Sequence, residues 1–595
     1  MTIHASQPAD LSRRSRRSLM ISFSRTGACL VFVTGLLAQP ASPTPLKVGA
    51  PADERTLHPG ETHAYSVSLN ADDLVSGTLE RSNRAITAVL FGPNGNEIRR
   101  FSPGGDAAQL RFTAEQAGVF RLEVRSSDKA ADRTYKVRLE KIVSLDERIK
   151  TVPRRTPESA RLVQLRHDIH AGQQQALAAF WEEVRKSGTP LVEPIADDPR
   201  YALCTFLWQG DSHTRNVVVY PYPGTNNQDP GMDFAMTRLE ETDLWFLSLR
   251  MRAKNRFYYK LAVNAPVFAR SFPDAGTDAE HRDYFAAALQ ADPLNPRQSL
   301  PDYAGYKSKY DVSSIAALPD APAQPWADER PHVPKGKVEK HSFESAVLKN
   351  SRNVWVYTPP GYSEAASPYG MVVLFDGYPH QTFVPAPSTL DNLLAEGRIP
   401  PLVAILVASN RNRDWELPCN PTFTEFLNAE LIPWVRRSYR VTTDPRRTII
   451  GGYSYGGLAG TYAALLHPET FGNVLSQSGA YRWTPPPDPK KPDVFDPLAE
   501  ANYVAALFLA RPKLPVRFYM NVGSDEADTV GRQNSQLNAN RHLRDVLRAK
   551  DYEVHYEEFI GGHEEINWRG LLANGLLALA GDAENQPDAT AARSK

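Results

Sequence analysis

The chain has 595 residues, enough for roughly three or four domains with sizeable cores and too many for one small domain. Hydrophobic residues at 42%, aromatics at 10% and charged residues at 23% exclude a largely disordered chain. Lys plus Arg (68) balances Asp plus Glu (68), so no global field draws the protein to nucleic acid or anionic lipid, and an anionic ligand must be held by a local cluster.

Arg13, Arg14, Arg16 and Arg17 precede an apolar stretch at 28–38, broken by Thr34 and Gly35, and then small residues at 38–42. That succession of basic, short apolar and small predicts a secretory signal peptide over residues 1–41. Residues 15–20 also fit a twin-arginine signal, so export to the periplasm is expected, by the Sec or the twin-arginine route. No later stretch is long and apolar enough for a membrane span. Cys29 falls in the signal, which leaves Cys204 and Cys419. So distant a pair is no disulfide framework and matches no zinc motif; two buried thiols are expected, with a single bridge as the alternative.

Residues 46–145 have period two: Tyr65, Val67 and Leu69 in one run, Phe120, Leu122 and Val124 in a second, Tyr135, Val137 and Leu139 in a third. With Asn94-Gly95 as a tight turn between apolar runs, this predicts a β-sandwich accessory module, free to contact a surface or a glycan. Residues 150–330 open with a helical stretch at 165–186 and continue with strand-like runs at 203–208 and 244–249, a second β-rich module. A Pro-rich connector at 318–326 follows and reads as an extended linker. Over 338–585 short apolar strands at 354–357, 371–375, 402–407, 448–450, 516–522 and 554–559 alternate with helical patterns at 423–438, 456–466 and 537–549. Alternation of that kind implies a mostly parallel sheet with helices on both faces. The chain thus reads as multidomain, a C-terminal α/β-hydrolase preceded by two β-rich sandwich-like modules, with its chemistry at the carboxyl ends of the strands.

After the strand at 448–450 comes Gly452-Tyr453-Ser454-Tyr455-Gly456-Gly457, then at once a helix. This is G-x-S-x-G in strand–turn–helix context, and its glycines are expected where side chains would strike the neighbouring strand and helix. A serine hydroxyl needs a base to take its proton, and His563 in Gly561-Gly562-His563, directly after the last strand, is the candidate. The following residues hold no second histidine at the fifth position, so this is no zinc-protease helix. The acid must lie between them in sequence. Glu526 is favoured, with Asp525 and then Asp528 as alternatives in the same loop. For the oxyanion hole, Tyr455 N–H is one donor by position, and Gly377 or Tyr378, in the loop ending the 371–375 strand, supplies the other.

Several motifs together resemble the enterochelin esterases, the ferric-siderophore hydrolases: Phe375-Asp376-Gly377, Glu416-Leu417-Pro418-Cys419-Asn420 preceded by Arg413, the elbow at Ser454, Leu475-Ser476-Gln477-Ser478-Gly479, and Gly561-Gly562-His563 with Trp568-Arg569. The middle module is similar to that family's N-terminal domain through Gly188-Thr189-Pro190-Leu191-Val192-Glu193-Pro194, Thr205-Phe206-Leu207-Trp208 and Asp292-Pro293-Leu294-Asn295. The resemblance implies hydrolysis of the serine trilactone of enterobactin-like catecholate siderophores. Ser454 would be the nucleophile, His563 the base, and Arg413 a siderophore contact, with Glu416 and Trp415 beside it. It implies no cofactor and no protein-bound metal, iron entering only with the substrate. The added β-module and the export signal depart from the cytoplasmic esterases of that family. A ferric tris-catecholate carries a charge of about −3, which a neutral protein must answer with arginines and aromatic faces. Arg411, Arg413, Arg482 and Arg569, interleaved with Tyr378, Trp415, Tyr481, Trp483 and Trp568, are expected to form such a pocket. The competing readings are an exported feruloyl or acetyl esterase of the same fold, which shares the run at 354–362, and a non-enzymatic binding protein.

Overall fold

The computed structural model describes residues 42–82, 85–101, 107–127, 131–144, 154–221, 234–265, 288–299, 309–310, 312–409, 412–486, 502–527 and 535–581. The expected signal peptide, Arg411 and Asp528 lie outside the described residues.

Between Thr44 and Val143 the described elements are all strands. Along Thr62–Leu69, Tyr65, Val67 and Leu69 are buried and Ser68 is exposed, as period two requires. Asn94-Gly95 turns the chain between Ile86–Phe91 and Glu97–Phe101, with Gly95 at φ +80°. A five-stranded sheet (Thr44–Pro45, Thr62–Leu69, Gly118–Ser126, Ile86–Phe91, Glu97–Phe101) accompanies a four-stranded one (Arg55–Leu57, Arg133–Val143, Leu74–Arg81, Ala107–Thr113). Leu79, Val137 and Leu139 of the second share one core with Tyr65, Leu90 and Leu122 of the first.

The helix expected at 165–186 is instead two, Ala160–His170 and Ala176–Ser187. The chain breaks at Gly172, whose φ of +77° ends the first helix. Strand Tyr201–Gln209 pairs with Leu191–Pro194 and Leu244–Arg252, while Arg256–Val263 pairs with Val217–Pro221, Leu289–Gln290 and Ser314–Ala317. Phe206 and Leu247 of the first set pack with Phe257, Tyr259 and Leu261 of the second. The Pro-rich connector is strapped down: Gln324 Nε2 donates to the Ile566 carbonyl (2.7 Å) and Trp326 Nε1 to Glu396 (2.8 Å).

The C-terminal sheet has eight strands in the order Lys337–Ser345, Asn350–Thr358, Leu402–Val407, Gly370–Phe375, Thr448–Tyr453, Asn473–Gln477, Arg517–Gly523, Val554–Phe559. The first two are antiparallel additions, and every later pairing is parallel. Two strands escaped the sequence reading: Lys337–Ser345 is polar and largely exposed, and Asn473–Gln477 spans only five residues. Successive side chains leave opposite faces of a strand, which builds two cores. Val373, Ile405, Ile450 and Phe518 meet the helices Tyr455–Leu466, Tyr503–Leu509 and Gln536–Ala549. Val372, Leu374, Ile449 and Tyr519 meet Ala386–Ala395 and Glu565–Ala580. The helix expected at 423–438 runs as Pro421–Glu425, a π-helical segment Phe426–Leu431, and Ile432–Ser438. Cys204 and Cys419 are buried, unpaired thiols whose pKa burial pushes up. Among the described residues no helix is long and apolar enough to cross a membrane.

Candidate active site

Ser454 stands alone between the strand Thr448–Tyr453 and the helix Tyr455–Leu466, at φ +54° and ψ −120°. A non-glycine residue in such backbone is strained, and the surroundings must hold it there. They do so through the Ser454 N–H, which donates to the Gln477 carbonyl (2.9 Å) on the neighbouring strand. The glycines around it differ from the expectation. At Gly452 and Gly456 an added Cβ would meet nothing nearer than 3.5 Å, and Gly452 is required by its φ of +149°. Steric crowding falls on Gly451, where a Cβ would sit 1.7 Å from the Leu475 carbonyl oxygen, and on Gly457, against Ser476.

His563 follows strand Val554–Phe559 through Gly561 and Gly562. Its Nδ1 lies 2.7 Å from Glu526 Oε2, so the ring donates there and its other nitrogen is left to carry a proton to or from a reacting group. The acid itself is fixed from the other side: Glu526 Oε1 accepts from Ser478 Oγ (2.6 Å) and from Gly523 N–H (2.8 Å). Trp568 Nε1 donates to the same Ser478 Oγ (3.0 Å), and the Trp568 ring stands edge-on to His563 at 4.7 Å. Ser478 and Trp568 thereby brace both partners of the pair. The alternative acid Asp525 is turned away, paired with Arg252 and accepting from Asn255 Nδ2 (3.4 Å), while its own N–H donates to the Gly561 carbonyl (3.0 Å).

Ser454, His563 and Trp568 border one cavity of about 550 Å³, together with Arg413, Tyr453 and Phe383. The middle module supplies Tyr258, Ser299 and Ser313 to the same cavity, and Glu564 and Glu565 complete its border. The Tyr453 ring on this border is stacked on Trp568 at 4.4 Å and on the buried His380 at 5.3 Å. Burial holds His380 below the usual imidazole range. Arg413 is held bidentately by Asp376, Nε to Oδ1 at 2.8 Å and Nη2 to Oδ2 at 2.6 Å, and its guanidinium lies over the Tyr455 ring at 5.5 Å. Burial opposes its charge, but the bonds and charge of Asp376 win, and the guanidinium pKa is raised.

Several expected site residues lie elsewhere. Gly377 N–H is spent on the Val407 carbonyl (2.9 Å), so it is no oxyanion donor. Tyr378 follows it in the same loop, and Tyr455 is the first residue of its helix, where an N–H has no intrahelical acceptor. Glu416 is no substrate ligand: it is buried in an ion pair with the equally buried Arg352 (2.8 Å), a structural element under the Arg413 turn. Arg569 reaches Asp328 of the connector (2.6 Å) rather than the cavity. Trp415 is 62% exposed, Arg482 is exposed, and Trp483 packs edge-on against Tyr503; none borders the cavity. The expected cluster of arginines is therefore not assembled: among the described residues Arg413 is the one arginine on the cavity border, and Glu564 and Glu565 share it. Among the described residues no three His, Cys, Asp or Glu side chains come together as a metal-holding group.

Comparison with known proteins agrees with this geometry. Residues 345–579 match a putative esterase family and residues 203–327 the enterochelin esterase N-terminal family. The iron(III) enterobactin esterase of Dickeya dadantii is 30% identical over 68% of this chain and 93% of its own length. That of Escherichia coli K12 is 30% identical over 63% and 90%. Among solved structures, the ferric enterobactin esterase of Salmonella typhimurium superposes with a TM-score of 0.55 at 29% identity, covering 68% of this chain and 98% of that one. The Shigella flexneri enterobactin esterase, solved in the presence of enterobactin, gives 0.52 at 28%, covering 66% and 95%. With near-complete coverage of such relatives, with both family domains in order, and with the elbow serine and the Glu526–His563 pair on one cavity, this chain belongs to the enterochelin, or iron(III) enterobactin, esterase family.

Proposed function

We propose that this protein is a serine esterase that hydrolyses the ester bonds of the trilactone of ferric catecholate siderophores of the enterobactin type, so that iron can be released. The observation that carries the reading is the Glu526–His563 hydrogen bond on a cavity that Ser454 borders in elbow conformation, in a chain of this family. Ser454 Oγ attacks the ester carbonyl while His563 Nε2 takes its proton, and Glu526 holds the ring and stabilises its charged form. The N–H groups of Tyr455 and Tyr378 receive the developing oxyanion, a contribution of about 10²- to 10³-fold each. As the C–O bond breaks, His563 returns the proton to the departing serine hydroxyl. Water, activated by the same imidazole, then cleaves the acyl-enzyme. Arg413 faces the anionic substrate, and Tyr453 and Trp568 offer aromatic surface to the catechols.

The eight-stranded sheet supports an α/β-hydrolase domain, and the paired sheets before it support two β-rich, sandwich-like modules. The basic, apolar, small-residue order of residues 1–41 supports export and a periplasmic site of action. The test is to incubate purified protein with ferric enterobactin and to separate products by chromatography. Linear dihydroxybenzoylserine products are expected, with a higher kcat/KM than for methyl ferulate. Preference for methyl ferulate would move the protein to the carbohydrate esterases, and inertness toward both it and p-nitrophenyl butyrate would leave a binding protein.

A further inference from the structure

Three neighbouring strands of the catalytic sheet, Gly370–Phe375, Thr448–Tyr453 and Asn473–Gln477, are each followed by a residue that is not glycine yet takes positive φ: Asp376 at +55°, Ser454 at +54° and Ser478 at +47°. Strained backbone of that kind persists only where the surroundings over-determine it, and it gathers at working sites. Asp376 uses its place to hold Arg413, and Ser454 is the elbow serine. Ser478 is fully buried and its backbone is pinned on both sides. Its N–H donates to the Asn521 carbonyl (2.8 Å), and its own carbonyl accepts from Gln536 Nε2 (2.7 Å). The hydroxyl so fixed lies against Glu526, the partner of His563.

The direction of each hydrogen bond follows from the groups themselves. An indole N–H can only donate, so the Trp568 Nε1 contact (3.0 Å) takes an acceptor lone pair of Ser478 Oγ. The hydroxyl proton is thereby left for Glu526 Oε1, 2.6 Å away, which as a carboxylate oxygen can only accept. Gly523 N–H donates to the same oxygen (2.8 Å), so Oε1 carries two donors and Oε2 is kept for His563 Nδ1 at 2.7 Å. Without the hydroxyl, Oε1 would keep one donor and the plane of the carboxylate would be free to rock against the imidazole. Resting on the Ser454–His563–Glu526 reading of the site, we infer that Ser478 is a positioning residue of the hydrolysis: its hydroxyl, aimed by the Trp568 N–H, fixes the Glu526 carboxylate and through it the His563 ring. Because it acts through Glu526, it serves every ester alike and plays no part in choosing the siderophore.

The experiment compares the full chain with Ser478→Ala and Ser478→Gly, measuring kcat and KM on ferric enterobactin and on p-nitrophenyl butyrate, with a thermal melt of each protein. Both variants should lose at least about tenfold in kcat, equally on the two esters and with KM little changed, because a loosened acid misplaces the base. Glycine takes φ +47° without strain, so Ser478→Gly keeps the comparison open if Ser478→Ala melts early. Full kcat in Ser478→Gly would reduce Ser478 to fitting the turn, and losses confined to one ester would overturn the positioning role. Added to Glu526→Gln, Ser478→Ala should cost less than about twofold more, whereas losses that multiply would overturn action through the acid. In proton NMR spectra the far-downfield resonance of His563 Nδ1–H should move or broaden in Ser478→Ala, and an unchanged resonance would also overturn the inference. A fully active Ser454→Ala would instead refute the underlying reading of the site, with the resonance still deciding whether Ser478 holds Glu526 against His563.

Discussion

Two seams join the three folded regions of this chain, and they have unequal bearing on the chemistry. Where the middle module meets the catalytic sheet, Arg252 and Asn255 grip Asp525, the Tyr258 N–H meets Glu564, and Gln324 reaches the Ile566 carbonyl. Each of those catalytic-side residues lies within three positions of Glu526 or His563. Where the first β-module meets the middle one, Asn264 Nδ2 donates to Asp72 (2.8 Å) and Glu115 receives Tyr310 (2.5 Å) and Lys309 (2.8 Å), with Arg99 over the Tyr310 ring. Among the described residues none of the first module borders the cavity, whereas Tyr258, Ser299 and Ser313 of the middle module do. The middle module is thus a wall of the active site and a clamp on two of its loops, while the first is attached to the middle one by polar contacts.

The contrast can be sharpened from the chemistry outward. Glu526→Gln keeps the shape of the loop but removes the charge that holds His563 in its working tautomer, and a loss of about 10²- to 10⁴-fold in kcat is expected in steady-state assays. Retention of full kcat would show that the serine–histidine pair works without its acid. At the inner seam, Arg252→Ala frees Asp525 and the acid loop. Since small misplacements of catalytic groups are expensive, kcat should fall about tenfold on both siderophore and butyrate ester with KM little changed. An unaltered kcat would deny the clamp. At the outer seam, Glu115→Ala should lower the unfolding free energy by no more than about 1 kcal/mol in a denaturant titration, as partly exposed polar contacts do, and leave kcat/KM unchanged. A loss of activity there would make the first module part of the enzyme's working surface.

What the sequence disclosed divides along the same line. Ser454, His563 and Glu526 were legible as candidates because each sits in a local strand–loop pattern whose order along the chain is set by the fold, and the structure places the Glu526 carboxylate 2.7 Å from the His563 ring. Tyr258, Ser299 and Ser313 were not, because a cavity wall made by packing one module on another leaves no local mark. Gly377 misled because its loop position was readable while the hydrogen bond of its N–H to Val407 depends on the register of a parallel pair. Glu416 and Arg569 misled in another way: each lies in a motif near the site, but partners distant in the chain, Arg352 and Asp328, neutralise them. Only the fold shows which charges are already answered. Ser478 was visible within a motif, and its service to Glu526 and Trp568 emerged from side-chain geometry alone.

At the centre of the proposed mechanism the residue-563 imidazole takes the proton of the residue-454 hydroxyl, across the cavity that both residues border. The most direct test of that transfer is covalent labelling with a fluorophosphonate followed by peptide mass spectrometry, on the parent and on His563→Ala. One phosphonyl group on Ser454 in the parent, with labelling slowed by at least about 10²-fold in the variant, is the predicted result. A label on another serine, or on Ser454 at the same rate in both proteins, would contradict it.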